Sequence, residues 1–155
     1  MNNLIRTTSQ HGDFVNLVRE LDADLAVRDG DMHGFYHQYN NIDALKYVVV
    51  LYHEGAAVSC GAIKEIEPGV MEVKRMYTKP AQRGKGLAGL VLAELEQWAI
   101  ELRMKKCVLE TGKGQPEAIA LYKKSGYHLI PNYGQYAGVD NSVCFEKLLT
   151  SWLLP

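Results

Sequence analysis

The stretch KPAQRGKGLAGLVLAELEQWA, Lys79 to Ala99, decides how the rest of the chain is read. Its first half sets Gly84, Gly86 and Gly89 among the cations Lys79, Arg83 and Lys85, and its second half turns into an apolar run with helical spacing. It follows a strand-like segment, so the unit reads as strand, turn and helix start. The first N–H groups of a helix lack intrahelical partners, and the helix dipole adds partial positive charge there. Gly84 and Gly86 let an anion approach those groups closely, while Arg83 and Lys85 add full charges, so a phosphate suits this end. The competing reading is a glycine-rich turn that only starts a helix.

Two other phosphate-binding patterns are tested against the same letters. The nucleoside-triphosphate loop needs a hydroxyl after its Gly-Lys, and here Lys85 is followed by Gly86 and Leu87. Gly84, Gly86 and Gly89 do spell the dinucleotide fingerprint, G-x-G-x-x-G. That fingerprint belongs to the first strand-helix unit of a parallel series, whereas this unit sits mid-chain after antiparallel-looking strands.

With 155 residues, 47% hydrophobic and 23% charged, the chain has the make-up of one ordinary globular domain, expected to span 1–155. A net charge of −1 argues against a nucleic-acid-coating protein. Locally, Glu72 to Gly86 carries five cations and one acid, five minus one giving +4, while Asp13 to Asp31 carries six acids and two arginines, giving −4. One pole suits a compact anion and the other a cation. Cys60, Cys107 and Cys144 are widely spaced and read as buried thiols. His33 and His37 stand four apart with no further ligand indicated, so no metal site is expected. No apolar run approaches the roughly 20 residues needed to span a bilayer, and the N-terminal stretch lacks a signal-peptide layout, so the cytoplasm is the default location and no membrane partner is expected.

Periodicity predicts a short strand at NLIRTT, a helix over Asp13 to Gly30 with a Phe14, Leu17, Val18, Leu21, Leu25 stripe, and a weaker helix over Met32 to Tyr39. ALKYVVVLY and AAVSCGAIKEI form a hairpin around HEG. In VMEVKRMYT the alternation puts Val70, Glu72, Lys74, Met76 and Thr78 on one face and Met71, Val73, Arg75 and Tyr77 on the other. A helix from about Gly84 to Arg103 buries Leu87, Val91, Leu95, Trp98 and Leu102 and exposes Glu94, Glu96, Gln97 and Glu101. KKCVLET is a buried strand, PEAIALYKKS a helix with Pro116 at its first position and Gly126 as its stop, GYHLI a strand, and NSVCFEKLL an edge or closing strand. The expected fold is mixed α/β (α+β): a central, mostly antiparallel sheet with helices on both faces.

At RGKGLA, Arg83 to Ala88, the letters resemble the [Q/R]-x-x-G-x-[G/A] motif of the GNAT N-acetyltransferase superfamily, with Arg83, Gly86 and Ala88 in the defining positions. Gln115 to Tyr127 resembles that superfamily's downstream block, A-x-x-L-Y followed by G-[F/Y], through Ala118, Leu121, Tyr122, Gly126 and Tyr127. The resemblance covers roughly Ala44 to Leu148. It implies a GNAT-like fold whose sheet splays apart and acetyl-CoA as co-substrate. The diphosphate would lie on the amides of Arg83, Gly84, Lys85, Gly86, Leu87 and Ala88, and the pantetheine arm along Met76, Tyr77 and Thr78. Gln115 stands where many members carry Asn.

Acetyl transfer to an amine needs an uncharged amine, a polarised carbonyl and a proton for the departing thiolate. The resemblance makes Tyr122 the candidate acid. Glu72 is the candidate base, direct or through water, with pairing to Lys74 the competing reading. A backbone N–H at Met76 or Tyr77 would polarise the carbonyl. Arg75, Tyr133 and Tyr136 are candidates to shape the acceptor pocket, with the acidic first helix as a wall suited to a cationic amine. The expected activity is N-acetylation of a small amine, amino acid or peptide amino group. A non-catalytic acyl-CoA sensor is the alternative, and it would need neither Tyr122 nor Glu72. The apolar tail around Trp152 asks for a cover, either from its own chain or from a second copy in a homodimer.

Overall fold

The computed structural model describes residues 1–30 and 45–149. The weaker helix expected over Met32 to Tyr39, the His33 and His37 pair and Trp152 lie outside the described residues. In chain order the elements are β1 (Asn2–Thr7), α1 (Gly12–Asp29), β2 (Tyr47–His53), β3 (Ala56–Glu67), β4 (Val70–Thr78), α2 (Leu87–Glu101), β5 (Lys106–Gly112), α3 (Pro116–Lys124), β6 (His128–Ile130) and β7 (Ser142–Leu148). The strands form one seven-stranded sheet in the order β1-β2-β3-β4-β5-β7-β6. Every neighbouring pair is antiparallel except β4 with β5.

Strand β2 is buried on both faces, which is why its run reads as continuous Val and Leu rather than alternating. Val48 and Val50 meet Phe14, Leu17, Val18 and Leu21 of α1. Val49 and Leu51 join the cluster that holds Leu87, Val91, Leu92 and Leu95 of α2 on the opposite face. Burial of each such side chain stabilises the fold by roughly 1.5–3 kcal/mol, so the two stripes fix α1 and α2 on opposite sides of the sheet.

Strand β7 is interior, hydrogen-bonded to β5 on one side and to the three-residue β6 on the other, so it is not the edge that its composition suggests. Glu96 of α2 also departs from expectation. It is shielded, accepting bonds from Tyr127 Oη (2.8 Å) and Lys147 Nζ (2.9 Å), because β7 brings a cation under the helix. Helix α2 is shorter than its apolar pattern at both ends. It starts after Gly86, which sits at φ 79°, and it ends where Arg103 turns left-handed at φ 64°. The Arg103 and Met104 amides then bond back to the Ile100 and Ala99 carbonyls, the paired-bond helix stop usually built on glycine.

The main correction concerns β4. Between the pairs Ala62–Lys74 and Cys60–Tyr77, β3 spends one residue, Gly61, and β4 spends two, Arg75 and Met76. That extra residue is a β-bulge, with Arg75 at φ 58°. The alternation therefore breaks there. Met76 packs with Met71 and Val73 on the α2 side, whereas Arg75 and Tyr77 turn to the α1 side with Glu72 and Lys74. Gly61 is small because Met76 fills its space: a Cβ there would lie 2.3 Å from Met76 Sδ and 2.9 Å from Leu95 Cδ1. Pairing of β4 with β5 stops at Glu72–Val108, so the two strands fork just before the bulge.

Gly61→Ala is expected to destabilise the fold by about 1–3 kcal/mol through overpacking against Met76 and Leu95, read as a lower urea midpoint with unchanged slope. An unchanged midpoint would mean that the bulge does not need this vacancy.

Candidate functional site

The fork between β4 and β5 opens two adjoining cavities. The inner one, of about 100 Å³, is lined by Glu72, Arg75 and Met76 from β4, Glu110, Thr111 and Gly112 from β5, and Tyr122 and Tyr136. The outer one, of about 250 Å³, runs past Tyr77 and Thr78 to Arg83, Gly84, Gly86, Leu87 and Ala88. Leu21, Met76, Gln115 and Ala118 line both, so the two volumes meet at those side chains.

The outer cavity ends at the glycine-rich turn. After a 3₁₀ turn over Pro80–Gln82, Gly84 and Gly86 both take φ near 80°, which swings the chain into α2 without a side chain at either bend. Leu90 N–H is the first helix amide to find its carbonyl, on Gly86, and no side chain caps the helix. Among the described residues, the amides of Gly84 through Gly89 have no backbone acceptor. An ideal Cβ at Gly84 or Gly86 would meet nothing within 4 Å, so the space over these amides is open. Unpaired amides, a helix N-terminus and clear approach fit the diphosphate of acetyl-CoA.

The cations behave differently from expectation. Arg83 Nε donates to the Thr78 carbonyl at 2.8 Å, its guanidinium lies 5.6 Å from the Tyr77 ring centre, and Asp24 stands 3.9 Å away. Lys85 lies outside the cavity lining and donates to Gln82 at 2.9 Å. Arg75 is buried and pairs with Asp22 at 2.5 Å, while Lys79 pairs with Glu20 at 3.3 Å. The acidic face of α1 and the cationic stretch of the chain thus neutralise each other. The wall that α1 offers to the inner cavity is Leu21 and Leu25, not its carboxylates, which corrects the expectation of an acidic wall.

Tyr122 is set by the end of α3. Gln115 precedes Pro116 at the helix start, and Gly126, at φ 94°, stops the helix. The Tyr127 amide then bonds the Tyr122 carbonyl at 3.0 Å, and the two rings pack edge to face at 5.8 Å. The A-x-x-L-Y and G-Y letters are therefore one helix-stop motif that clamps Tyr122 at the fork. Its side chain is buried, and no described residue hydrogen-bonds its hydroxyl. Burial, then the charge of Glu110, hold that hydroxyl protonated well above the ordinary tyrosine range.

Glu72 is 5% exposed and doubly engaged, by Lys74 Nζ at 3.1 Å and Tyr133 Oη at 2.5 Å. Burial and the neighbouring Glu72 charge keep Tyr133 protonated. The pairing of Glu72 with Lys74 is thus present at the cavity wall, and Tyr133 reaches the site through Glu72 rather than by lining it. Sequence reasoning passed over Glu110 as a site residue. The available signal was a carboxylate closing the apolar run CVLE just before a glycine turn.

Residues 15–127 match the family model described as the Acetyltransferase (GNAT) family. An IAA acetyltransferase from Azospirillum brasilense is 36% identical over 102 residues, 65% of this chain and 67% of that protein. A solved structure assigned as an acyl-CoA N-acyltransferase from Klebsiella pneumoniae superposes with a TM-score of 0.81 at 30% identity, covering 96% of this chain and 98% of that one. A GNAT acetyltransferase from Elizabethkingia anophelis with acetyl-CoA bound superposes with a TM-score of 0.66 at 14% identity, over 96% of this chain and 98% of that one, and so shares the fold. No helix among the described residues is long and apolar enough to cross a membrane.

Gly86→Ala puts a side chain at a left-handed position over the open amides. It is expected to cost about 1–2 kcal/mol of stability and to weaken acetyl-CoA binding at least tenfold by calorimetry. Unchanged affinity would remove the turn from the binding surface.

Proposed function

The chain belongs to the Acetyltransferase (GNAT) family, and we propose that it moves the acetyl group of acetyl-CoA directly onto a primary amine held in the inner cavity. The observation that carries this reading is the junction of the two cavities at Met76, Gln115 and Ala118, with Tyr122 in the lining of the inner one. One cavity suits a long anionic carrier, and the other suits a small acceptor.

Acetyl-CoA supplies the acetyl group as a thioester. The amides of Gly84 to Gly89 hold the diphosphate, with Arg83 and Lys85 beside them. Among the described residues, the half of β4 beyond the fork has no strand partner on the β5 side, so Met76, Tyr77 and Thr78 offer an edge to the pantetheine amides. A backbone N–H next to the bulge, at Met76 or Tyr77, polarises the carbonyl. Gln115 replaces the more usual Asn with the same amide groups on a longer arm. Tyr122, protonated throughout the neutral range, donates to the departing sulfur. Glu72, steadied by Lys74 and Tyr133, takes the amine proton through water, and Arg75 shapes the wall behind it.

The three free, buried cysteines suit a reducing compartment, and we place the protein in the cytoplasm, acting as one acetyltransferase domain over 1–155.

Tyr122→Phe removes a hydroxyl that has no hydrogen-bond partner among the described residues, so it is expected to leave the melting temperature and the acetyl-CoA Kd unchanged. Thiol release with a reactive amine is expected to fall about 10²–10⁴-fold in kcat. Turnover equal to wild type would take Tyr122 out of the proton-donor role.

A further inference from the structure

Two carboxylates line the outer cavity, Asp24 from α1 and Glu117 from the first turn of α3, although that cavity suits an anionic carrier. One cation joins them. The Arg28 guanidinium, in the last turn of α1, lies 3.2 Å from Asp24 one turn back on its own helix and pairs with Glu117 on α3. The backbone comes close at the same place. The Arg28 carbonyl lies so near the turn before α3 that a Cβ at Gly114 would stand 3.2 Å from its oxygen, so glycine lets the two helix ends meet. Asp24 also stands 3.9 Å from Arg83, and alternating charge therefore runs from the glycine-rich turn over α1 to α3. Arg28 at a helix C-terminus and Glu117 at a helix N-terminus each suit their own dipole, which is the competing explanation for both. That explanation does not require them to touch.

We propose that Arg28 is a positioning residue that clasps α1 to α3 across the outer cavity, and that the coenzyme A arm enters and leaves as this clasp opens. The proposal rests on the reading of the outer cavity as the cofactor site. It adds a gate to that reading. Because the two acids joined by Arg28 belong to different helices and line one cavity, an arm seated between those helices and the free edge of β4 lies beneath the link. Amides paired with β4 would have to break each bond in turn to slide endwise under a closed clasp. Sideways entry through an open one avoids that. A link made of partly exposed charges is weak enough to open at every turnover.

The test is stopped-flow exchange of the fluorescent analogue etheno-coenzyme A on the full chain at low ionic strength, with association followed directly and dissociation by displacement with excess coenzyme A. In Arg28→Gln and in Glu117→Gln alike, both rate constants are expected to rise about two- to fivefold, the strength of a partly exposed ion pair. A mere change of local charge predicts otherwise. Loss of a cation would slow the association of an anion and loss of an acid would quicken it, so opposite signs in the two variants overturn the clasp. Removing both partners must quicken exchange no more than removing one, because the contact is already gone. Should Arg28→Gln fail to fold, Glu117→Gln, on a half-exposed side chain, breaks the pair from the other side and decides the outcome. A wild type that fails to bind the analogue sinks the acetyltransferase reading together with the clasp, whereas binding with unchanged exchange in folded Glu117→Gln sinks the clasp alone.

Discussion

Arg75 holds a left-handed backbone conformation that a long side chain ordinarily avoids at a cost of roughly 1–2 kcal/mol, and the site is built on that constraint. The extra residue it accommodates turns Met76 toward α2 and Tyr77 toward α1, in the part of β4 that has already left β5. The parallel ladder of β4 and β5 ends at Glu72 and Val108, and the bulge follows within the part of β4 unpaired with β5, where the inner cavity opens. Gly61 on one side and Asp22 on the other accommodate the distortion, the first by yielding volume to Met76 and the second by pairing with the buried guanidinium.

Burying Arg75 is costly, and a paired charge seldom repays its desolvation in net stability. Its place at the floor of the fork ties the position of α1 to the shape of the bulge. The neighbouring pairs, Glu20 with Lys79 and Asp24 with Arg83, extend the same strap toward the glycine-rich turn. A helix held in this way presents Leu21 and Leu25 to the inner cavity, which is roofed by apolar surface while its floor and β5 wall stay polar. That division suits a reaction in which water must be limited around a thioester while a proton is moved along fixed side chains.

Much of this arrangement is legible in local sequence. The glycine-rich turn before an apolar helix, the Pro116 start and Gly126 stop around Tyr122, and the continuous Val run of a doubly buried strand each carry their cause within a few residues. What was not legible depends on partners distant in the chain. The letters of VMEVKRMYT alternate without a break, and only the facing Gly61, fifteen residues earlier than Met76, marks the bulge. Glu96 looks like a solvent-facing helix acid until β7 brings Lys147 beneath it, and β7 looks like an edge because strand order is set by crossovers rather than by composition. The opposed charge poles were visible as counts, but their mutual neutralisation required α1 to lie across β4. Arg103 ends α2 in a position where glycine would have announced the stop.

Hydrogen–deuterium exchange of the full chain with and without acetyl-CoA, read by NMR at single amides, tests the central claim most directly. The account requires selective protection of the amides of Gly84 to Gly89 together with the free edge of β4 at Met76 to Thr78. Protection confined to other segments, with these amides exchanging as fast as in the free protein, would contradict it.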